Sequence, residues 1–190
     1  MIVDIEKKIV KAKIVYYGPP QSGKTTNLEK LSEILGLNLL KIDTSGDRTL
    51  VFDFATRREV VNGITVSFAL YTVPGQEIYK DIRLTVLRGV DALVFVADAQ
   101  KERLRDNLYF YDLLKEDLRK VGKSIENLPI VLQYNKMDLP NSMNYESLEE
   151  ALNKCRYTSV CASAIRGEGV QETLDLLINQ YLMKIGVITV

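Results

Sequence analysis

Eight residues near the start of the chain have the types and spacing of a loop that binds phosphate. Residues 18–25 read GPPQSGKT, the P-loop pattern G-x-x-x-x-G-K-T, between an apolar run and an amphipathic stretch. The two glycines let the backbone wrap around a phosphate, and successive N–H groups with the helix dipole would bind its charge. Lys24 would contact the β- and γ-phosphates, so it is also a candidate catalytic residue, and the Thr25 hydroxyl would bind Mg²⁺. The candidate nucleotide-binding residues here are Gly18, Gln21, Ser22, Gly23, Lys24, Thr25 and Thr26.

A second polar motif has the groups needed to recognise a base. Residues 135–138 read NKMD, the pattern N-K-x-D, directly after the apolar run 130–134. The Asp138 carboxylate can accept from the N1–H and the N2 amino group of guanine together, whereas adenine offers neither donor there. The aliphatic stem of Lys136 can cover one face of the base. With a P-loop upstream, Asn135, Lys136 and Asp138 predict a guanine nucleotide site.

Composition restricts both the chemistry and the partners. The 190 residues contain 25 Lys and Arg, 25 Asp and Glu, and no His. Any reaction must therefore proceed without the commonest general base and zinc ligand. A net charge of zero does not favour a broad surface for nucleic acid, so no nucleic-acid partner is expected.

The length predicts a single domain covering residues 1–190. The longest apolar run, 92–97, is too short for an integral membrane segment. The chain shows Ile2 where N-myristoylation needs glycine, and no prenylatable cysteine, so no lipid anchor is expected. These features together predict a cytoplasmic protein.

Predicted strands and helices alternate along the chain. Strands are expected at 14–17, around 50–54, and at 64–70, 92–97, 130–134 and 158–162; helices are expected at 24–35, 104–121, 145–154 and 170–184. Asn62-Gly63 predicts a hairpin, so one strand pairs antiparallel. The alternation predicts a three-layer α/β sandwich with a mostly parallel six-stranded sheet. The charged residues 101–105 are typical of a helix start with a solvated face.

The sequence resembles the Ras-like small GTPases over residues 11–184, and within them the bacterial MglA type. The segments that carry the resemblance are 13–18, 47–54, 70–76 and 87–91, together with the two motifs above. The resemblance implies a small GTPase fold, a single G domain, a Mg²⁺-dependent switch between GTP and GDP, and slow intrinsic hydrolysis.

The resemblance assigns residues 72–76, TVPGQ, to the place of the family's D-x-x-G-Q. It implies that the Gly75 N–H contacts the γ-phosphate and that Gln76 is a catalytic residue that orients the attacking water. Thr72 departs from the usual Asp, which acts on Mg²⁺ through a water, and the MglA type shares this loss. Asp53 is a candidate metal-binding substitute; the alternative is a carboxylate on the solvent face of its strand.

The first switch is assigned to residues 43–49, DTSGDRT. The resemblance favours Thr49 over Thr44 as the ligand of Mg²⁺ and of the γ-phosphate. Arg48 resembles a catalytic arginine finger supplied by the same chain, the alternative being a solvated arginine.

A third motif lies near the end of the chain. Ser163 and Ala164 resemble the family's T/C-S-A motif, in which the alanine N–H donates to guanine O6, but Ile165 replaces the usual lysine.

The resemblance also implies a role in bacterial cell polarity or surface motility. It implies a GTPase-activating partner of the MglB (roadblock) type and polarity or motility effectors, which could recruit the protein to a cell pole. Two other functions stay open: a GTP-binding scaffold that scarcely hydrolyses, suggested by Thr72, and a P-loop small-molecule kinase, which would have no use for N-K-x-D.

Overall fold

Strands and helices alternate in the computed structural model, which describes residues 2–4, 8–42, 52–75 and 79–188. The strands are β1 (Ile2–Asp4), β2 (Ile9–Tyr17), β3 (Leu40–Ile42), β4 (Phe52–Val61), β5 (Ile64–Thr72), β6 (Ala92–Asp98), β7 (Ile130–Asn135) and β8 (Thr158–Cys161). The helices are α1 (Lys24–Leu35), α2 (Lys80–Leu87), α3 (Leu104–Lys120), α4 (Tyr145–Leu152) and α5 (Val170–Lys184). Helices α1 and α5 have the predicted bounds, and each begins directly after a glycine in the left-handed region, Gly23 and Gly169.

The eight described strands join one sheet, in the order β3-β4-β5-β2-β6-β7-β8, and β1 pairs with β2 outside this order. Strands β5, β2, β6, β7 and β8 run parallel, and β4 pairs antiparallel with β5 through the Asn62-Gly63 turn. The prediction of a mostly parallel six-stranded sheet with one antiparallel strand is thus confirmed. The short strands β1 and β3 extend it, each pairing antiparallel with its neighbour. Three residues per strand are too few for alternation to show in the sequence.

Two apolar cores cover the two faces of the sheet. Successive residues of β2 alternate between them, with Ile14 in one core and Val15 in the other. Helices α1 and α5 pack in the first core, while α2, α3 and α4 pack in the second. Strand β6 is buried at every position, as a parallel strand covered on both faces should be. The predicted three-layer sandwich is confirmed.

A buried ionic cluster joins α2 to α3 and to the end of β2. Arg83 Nε lies 3.2 Å from Asp117 Oδ2, and both side chains are almost fully buried. The Tyr17 hydroxyl donates to the same oxygen at 2.9 Å. Because Tyr17 immediately precedes the P-loop, this cluster fixes the position of that loop relative to α2.

Replacing Asp117 with Asn should destabilise the protein strongly. The amide keeps the volume but removes a buried negative charge 3.2 Å from the buried guanidinium, and breaking a buried pair from one side costs ~3 kcal/mol of the free energy of unfolding. Urea denaturation measures the loss. The matched control is Asp112→Asn on the same helix, where the side chain is 74% exposed; its effect should stay within about 0.5 kcal/mol. Equal unfolding midpoints for the two variants would contradict this account of the cluster.

Candidate functional site

The carboxyl ends of the parallel strands lie at one edge of the sheet, and the loops that follow them converge there. A cleft of ≈ 350 Å³ opens between the P-loop and the segment after β5. Its lining consists of Pro20, Gln21, Gly23, Lys24, Thr25, Thr26, Thr72, Val73, Pro74, Gly75 and Tyr79. None of these described residues is acidic, while one is a lysine and three are threonines. The cleft therefore suits an anionic ligand.

Glycines allow the P-loop to approach its neighbours closely. Gly18 and Gly23 both have positive φ, and an added Cβ would overlap Val96 O at the first and Asn135 Nδ2 at the second. Gln21 adopts φ 62 without being a glycine, which is a local backbone strain of the kind concentrated at ligand sites. An added Cβ at Gly75 would overlap the backbone of Pro20, so the segment after β5 lies directly against the P-loop.

Lys24 is only 7% exposed and lines the cleft. Its Nζ donates to Gly18 O at 2.9 Å and to Pro19 O at 2.6 Å. Burial, with a smaller contribution from the charge of Arg83, lowers the pKa of Lys24 from 10.5 to about 7. Two carbonyls hold the amine without neutralising its charge, and a phosphate in the cleft would supply the missing negative charge.

Asn135 joins three segments through one buried side chain that is 2% exposed. Its Nδ2 donates to Ser22 O in the P-loop at 2.8 Å. Its Oδ1 accepts from the Ala164 N–H at 2.8 Å. The structure thus brings the P-loop, the N-K-x-D loop and the segment after β8 together.

Two side chains on the loops after β7 and β8 have oxygens without a hydrogen-bond donor among the described residues. Within the described part of the chain, the Asp138 carboxylate accepts no hydrogen bond, and its Oδ2 lies 3.9 Å from Arg166 Nε. Ser163 Oγ is buried without a hydrogen-bond partner among the same residues. The two loops are held side by side by a bond from Met137 N to Ala162 O of 3.0 Å. These groups fit a flat polar ring with both donors and acceptors.

Comparison with known proteins agrees with this geometry. A sequence model of the ADP-ribosylation factor (Arf) family matches residues 1–181. The chain belongs to the Arf family of small GTPases. It is similar to the mutual gliding-motility protein MglA of Myxococcus xanthus, with 40% identity over 178 residues, or 90% of this chain and 91% of that protein. The predicted resemblance to small GTPases of the MglA type is confirmed.

The chain is also similar to small GTPases of eukaryotes. ADP-ribosylation factor-like protein 4A of Homo sapiens is 30% identical over 176 residues, covering 86% of this chain and 80% of that protein. The Ypt/Rab-type GTPase Rab7 of Neurospora crassa is 26% identical over 152 residues, covering 79% and 70%.

Small GTPases of this family bind GTP and GDP and use Mg²⁺, and the described cleft has ligands that fit the metal. The Thr25 hydroxyl lies exposed at the second residue of α1, and buried Thr72 lines the opposite wall. Hydroxyl and phosphate oxygens are the hard ligands that Mg²⁺ prefers. Since the described lining offers no carboxylate, the nucleotide would have to supply most of the charge that balances the metal.

Three predicted site residues and the side chain of a fourth lie outside the part of the chain that the structure describes. Arg48, Thr49 and Gln76 lie outside the described residues. The backbone of Asp53 pairs with Lys41 across β3 and β4, but its side chain is not among those described. The predictions for these four residues stay predictions.

Sequence analysis missed two residues of this GTPase that contact the nucleotide-binding loops. Arg103 is not simply part of a solvated face, because its Nη2 donates to Pro20 O in the P-loop at 3.0 Å. Asp98, the last residue of β6, lies 2.6 Å from Lys136 Nζ. Lys136 itself adopts φ 69, a conformation that is strained for a non-glycine residue. In the described ranges, no helix has both the length and the apolar character needed to cross a lipid bilayer.

The lowered pKa of Lys24 predicts that nucleotide binding takes up a proton. Above pH 7 the amine of the free protein is mostly neutral, whereas a phosphate in the cleft favours the ammonium form and raises the pKa. Binding then consumes up to about one proton, so GDP affinity should fall as pH rises from about 7.5 to about 8.5, by at most about tenfold per pH unit.

Titration calorimetry in buffers of different ionisation enthalpy measures this proton uptake directly. The Lys24→Arg variant is the control, because its side chain stays charged throughout this range and its residual affinity should not vary with pH. A wild-type affinity that is constant over the same interval would contradict the assigned environment of Lys24.

Proposed function

We propose that residues 1–190 form one G domain that binds GTP, hydrolyses it to GDP and phosphate, and changes its partners with the nucleotide state. The observation that carries this proposal is the Asn135 side chain, which connects the phosphate-binding loop to both loops on the base side. A kinase for small molecules would need the P-loop but would gain nothing from this connection to a guanine-recognition motif.

The phosphate and base roles follow from the cleft. The P-loop amides and Lys24 hold the phosphates; the residues involved are Gly18, Gln21, Ser22, Gly23, Lys24, Thr25 and Thr26. Asp138 accepts from the N1–H and N2 amino group of guanine, and the stem of Lys136 covers the ring. Ser163 and Ala164 form the wall facing O6. Because the Ala164 N–H already donates to Asn135, guanine O6 would have to share this donor.

We assign Mg²⁺ to Thr25 and Thr49, with Asp53 as a further candidate ligand. When bound, the metal neutralises charge on the β- and γ-phosphates. Thr25 lines the cleft at the N-terminus of α1. A hydroxyl at this position could bind a metal ion that also contacts the phosphates. Thr72 contributes no charge. The phosphates must therefore supply more of the negative charge that binds Mg²⁺ than in a site with an aspartate at this position.

Hydrolysis relies on positioning and on charge stabilisation, which explains why a chain without histidine can perform it. Gln76 orients the attacking water, and the Gly75 N–H holds the γ-phosphate. Lys24 and Arg48 stabilise charge that develops on the transferred group. The contact of Gly75 with Pro20 supports this assignment, because it places the segment after β5 against the phosphate site.

The similarity to MglA of Myxococcus xanthus supports a role in bacterial cell polarity or gliding motility. A GTPase-activating partner of the MglB (roadblock) type would accelerate hydrolysis, and effectors would recruit the GTP form from the cytoplasm to a cell pole. A second candidate function is a GTP-binding scaffold with very slow hydrolysis; the uncharged Thr72 and the absence of acidic groups from the described cleft lining favour it.

Replacing Asp138 with Asn should convert a preference for guanine into one for xanthine. The amide can donate to the C2 carbonyl of xanthine but cannot accept both guanine donors. Competition binding of GTP against xanthosine triphosphate measures the change, which should exceed roughly a hundredfold. Asp112→Asn, which is exposed, is the control and should keep the wild-type preference. If the Asp138 variant binds GTP as the wild type does, the base-recognition role is wrong.

Replacing Arg48 with Ala should leave GTP affinity nearly unchanged and reduce partner-stimulated hydrolysis on the order of 10³-fold. Arg48→Lys should recover little, because an ammonium loses the planar fork that spans two oxygens. Single-turnover GTP hydrolysis at saturating roadblock-type partner measures both.

Arg58→Ala, at an exposed arginine of β4, is the matched control for Arg48. It should hydrolyse GTP at the wild-type rate. Equal rates for Arg48→Ala, Arg58→Ala and the wild type would leave Gln76, Lys24 and the metal as the catalytic elements, and would favour a partner that contributes its own arginine.

A further inference from the structure

A buried carboxylate lies between the two nucleotide-binding loops. Asp98, at the end of β6, is 1% exposed. Its Oδ2 lies 2.6 Å from Lys136 Nζ in the N-K-x-D loop and 3.9 Å from Arg103 Nε. Its Oδ1 accepts from the Gln100 N–H at 3.1 Å. One oxygen thus faces a cation from the base side and a second cation from the start of α3.

Arg103 extends this network to the phosphate side. Its Nη2 donates to Pro20 O at 3.0 Å, and its Nη1 lies 2.7 Å from Asp106 on the next turn. The three nitrogens of one guanidinium therefore face three different groups. The planar fork of arginine makes this possible, whereas the single nitrogen of a lysine can occupy only one of these positions at a time.

Hydrogen bonds hold the backbone around Asp98 in place. Its carboxylate therefore cannot shift with one of the two loops while keeping its contact with the other. Asn107 is fully buried; its Oδ1 accepts from the Asp98 N–H at 2.9 Å and its Nδ2 donates to Asp98 O at 2.7 Å. The Ala99 N–H donates to Asn135 O at 2.8 Å, which ties the same point to the end of β7.

We propose that Asp98 and Arg103 are positioning residues that couple the P-loop to the base-recognition loop of the bound nucleotide. The inference rests on the proposed function, since it concerns how a guanine nucleotide is held. Asp98 fixes Lys136 beside the base, and Arg103 fixes the Pro20 carbonyl and so the direction of the neighbouring P-loop N–H groups. Because both cations share one carboxylate, loosening either loop alters the position of the other.

The first test measures release of a fluorescent GDP from the full chain in the presence of Mg²⁺. Arg103→Gln should accelerate release on the order of tenfold, the effect of losing one charge-assisted hydrogen bond. Arg103→Lys should recover little. The ³¹P chemical shift of the β-phosphate of bound GDP should move in Arg103→Gln, because the P-loop amides around it are reoriented.

Two control variants separate this role from a local effect on α3. Arg105→Gln changes an exposed arginine two residues away. Asp106→Asn removes the negative charge that Arg103 faces on the next turn and leaves Pro20 and Asp98 in place. Both should release GDP at the wild-type rate and keep the wild-type ³¹P shift. If Asp106→Asn releases GDP as fast as Arg103→Gln, the effect arises from the helix start and the proposal is overturned.

A double-mutant cycle tests the coupling through Asp98. Arg103→Gln and Lys136→Gln should be non-additive in GDP release, and the non-additivity should disappear in an Asp98→Asn background. If Asp98→Asn does not fold, additivity of the two single variants in the native background still overturns the coupling.

The outcomes distinguish this inference from the proposed function. Wild-type release from the Arg103→Gln protein overturns the positioning role alone. A wild-type chain that retains no GDP contradicts the proposed function, and the coupling inference is overturned with it.

Discussion

The two hydrogen bonds of the Asn135 side chain are the constraint on which the site depends. An amide is required, because one end must donate to the Ser22 carbonyl while the other accepts from the Ala164 N–H. A carboxylate at this position would repel the carbonyl, and a shorter hydroxyl could not span both loops. Gly23 is the matching requirement on the other side, since any side chain there would occupy the space of the amide. Strand β7 thereby determines the spacing between the phosphate and base ends of the site.

Charge in the free protein is arranged for a ligand that brings negative charge. Lys24 is buried against carbonyls with its pKa lowered to about 7, and Lys136 has the buried carboxylate of Asp98 as its partner. The described walls of the cleft add no acidic group. A bound phosphate would remove the cost of burying Lys24, so binding and local stability are linked. The bound nucleotide would therefore stabilise the P-loop and the N-K-x-D loop, which both contact it.

The sequence predicted helices and strands whose hydrophobic residues recur at a regular spacing. It did not predict contacts between side chains that are far apart in the chain. The bounds of α1 and α5, the Asn62-Gly63 hairpin and the buried strand β6 follow from periodicity and from turn residues, and the structure agrees with them. The cluster of Arg83 with Asp117 and the contact of Arg103 with Pro20 join residues far apart in the chain. No local pattern marks such pairs, and a charged segment looks alike whether it faces solvent or a neighbouring loop. The P-loop and the N-K-x-D motif could be predicted from the sequence, because the backbone conformation of each depends on a few consecutive residues.

The central claim is that one site holds phosphates and guanine at once, and competition for labelled GTP on the wild-type chain tests it most directly. With Mg²⁺ present, equimolar unlabelled GTP or GDP should displace about half of the label, while roughly a thousandfold excess of ATP should displace little, because adenine leaves the Asp138 carboxylate without a donor. Displacement by ATP at the same concentration as GTP would contradict the account, since it would leave a P-loop that binds phosphates without a site that recognises the base.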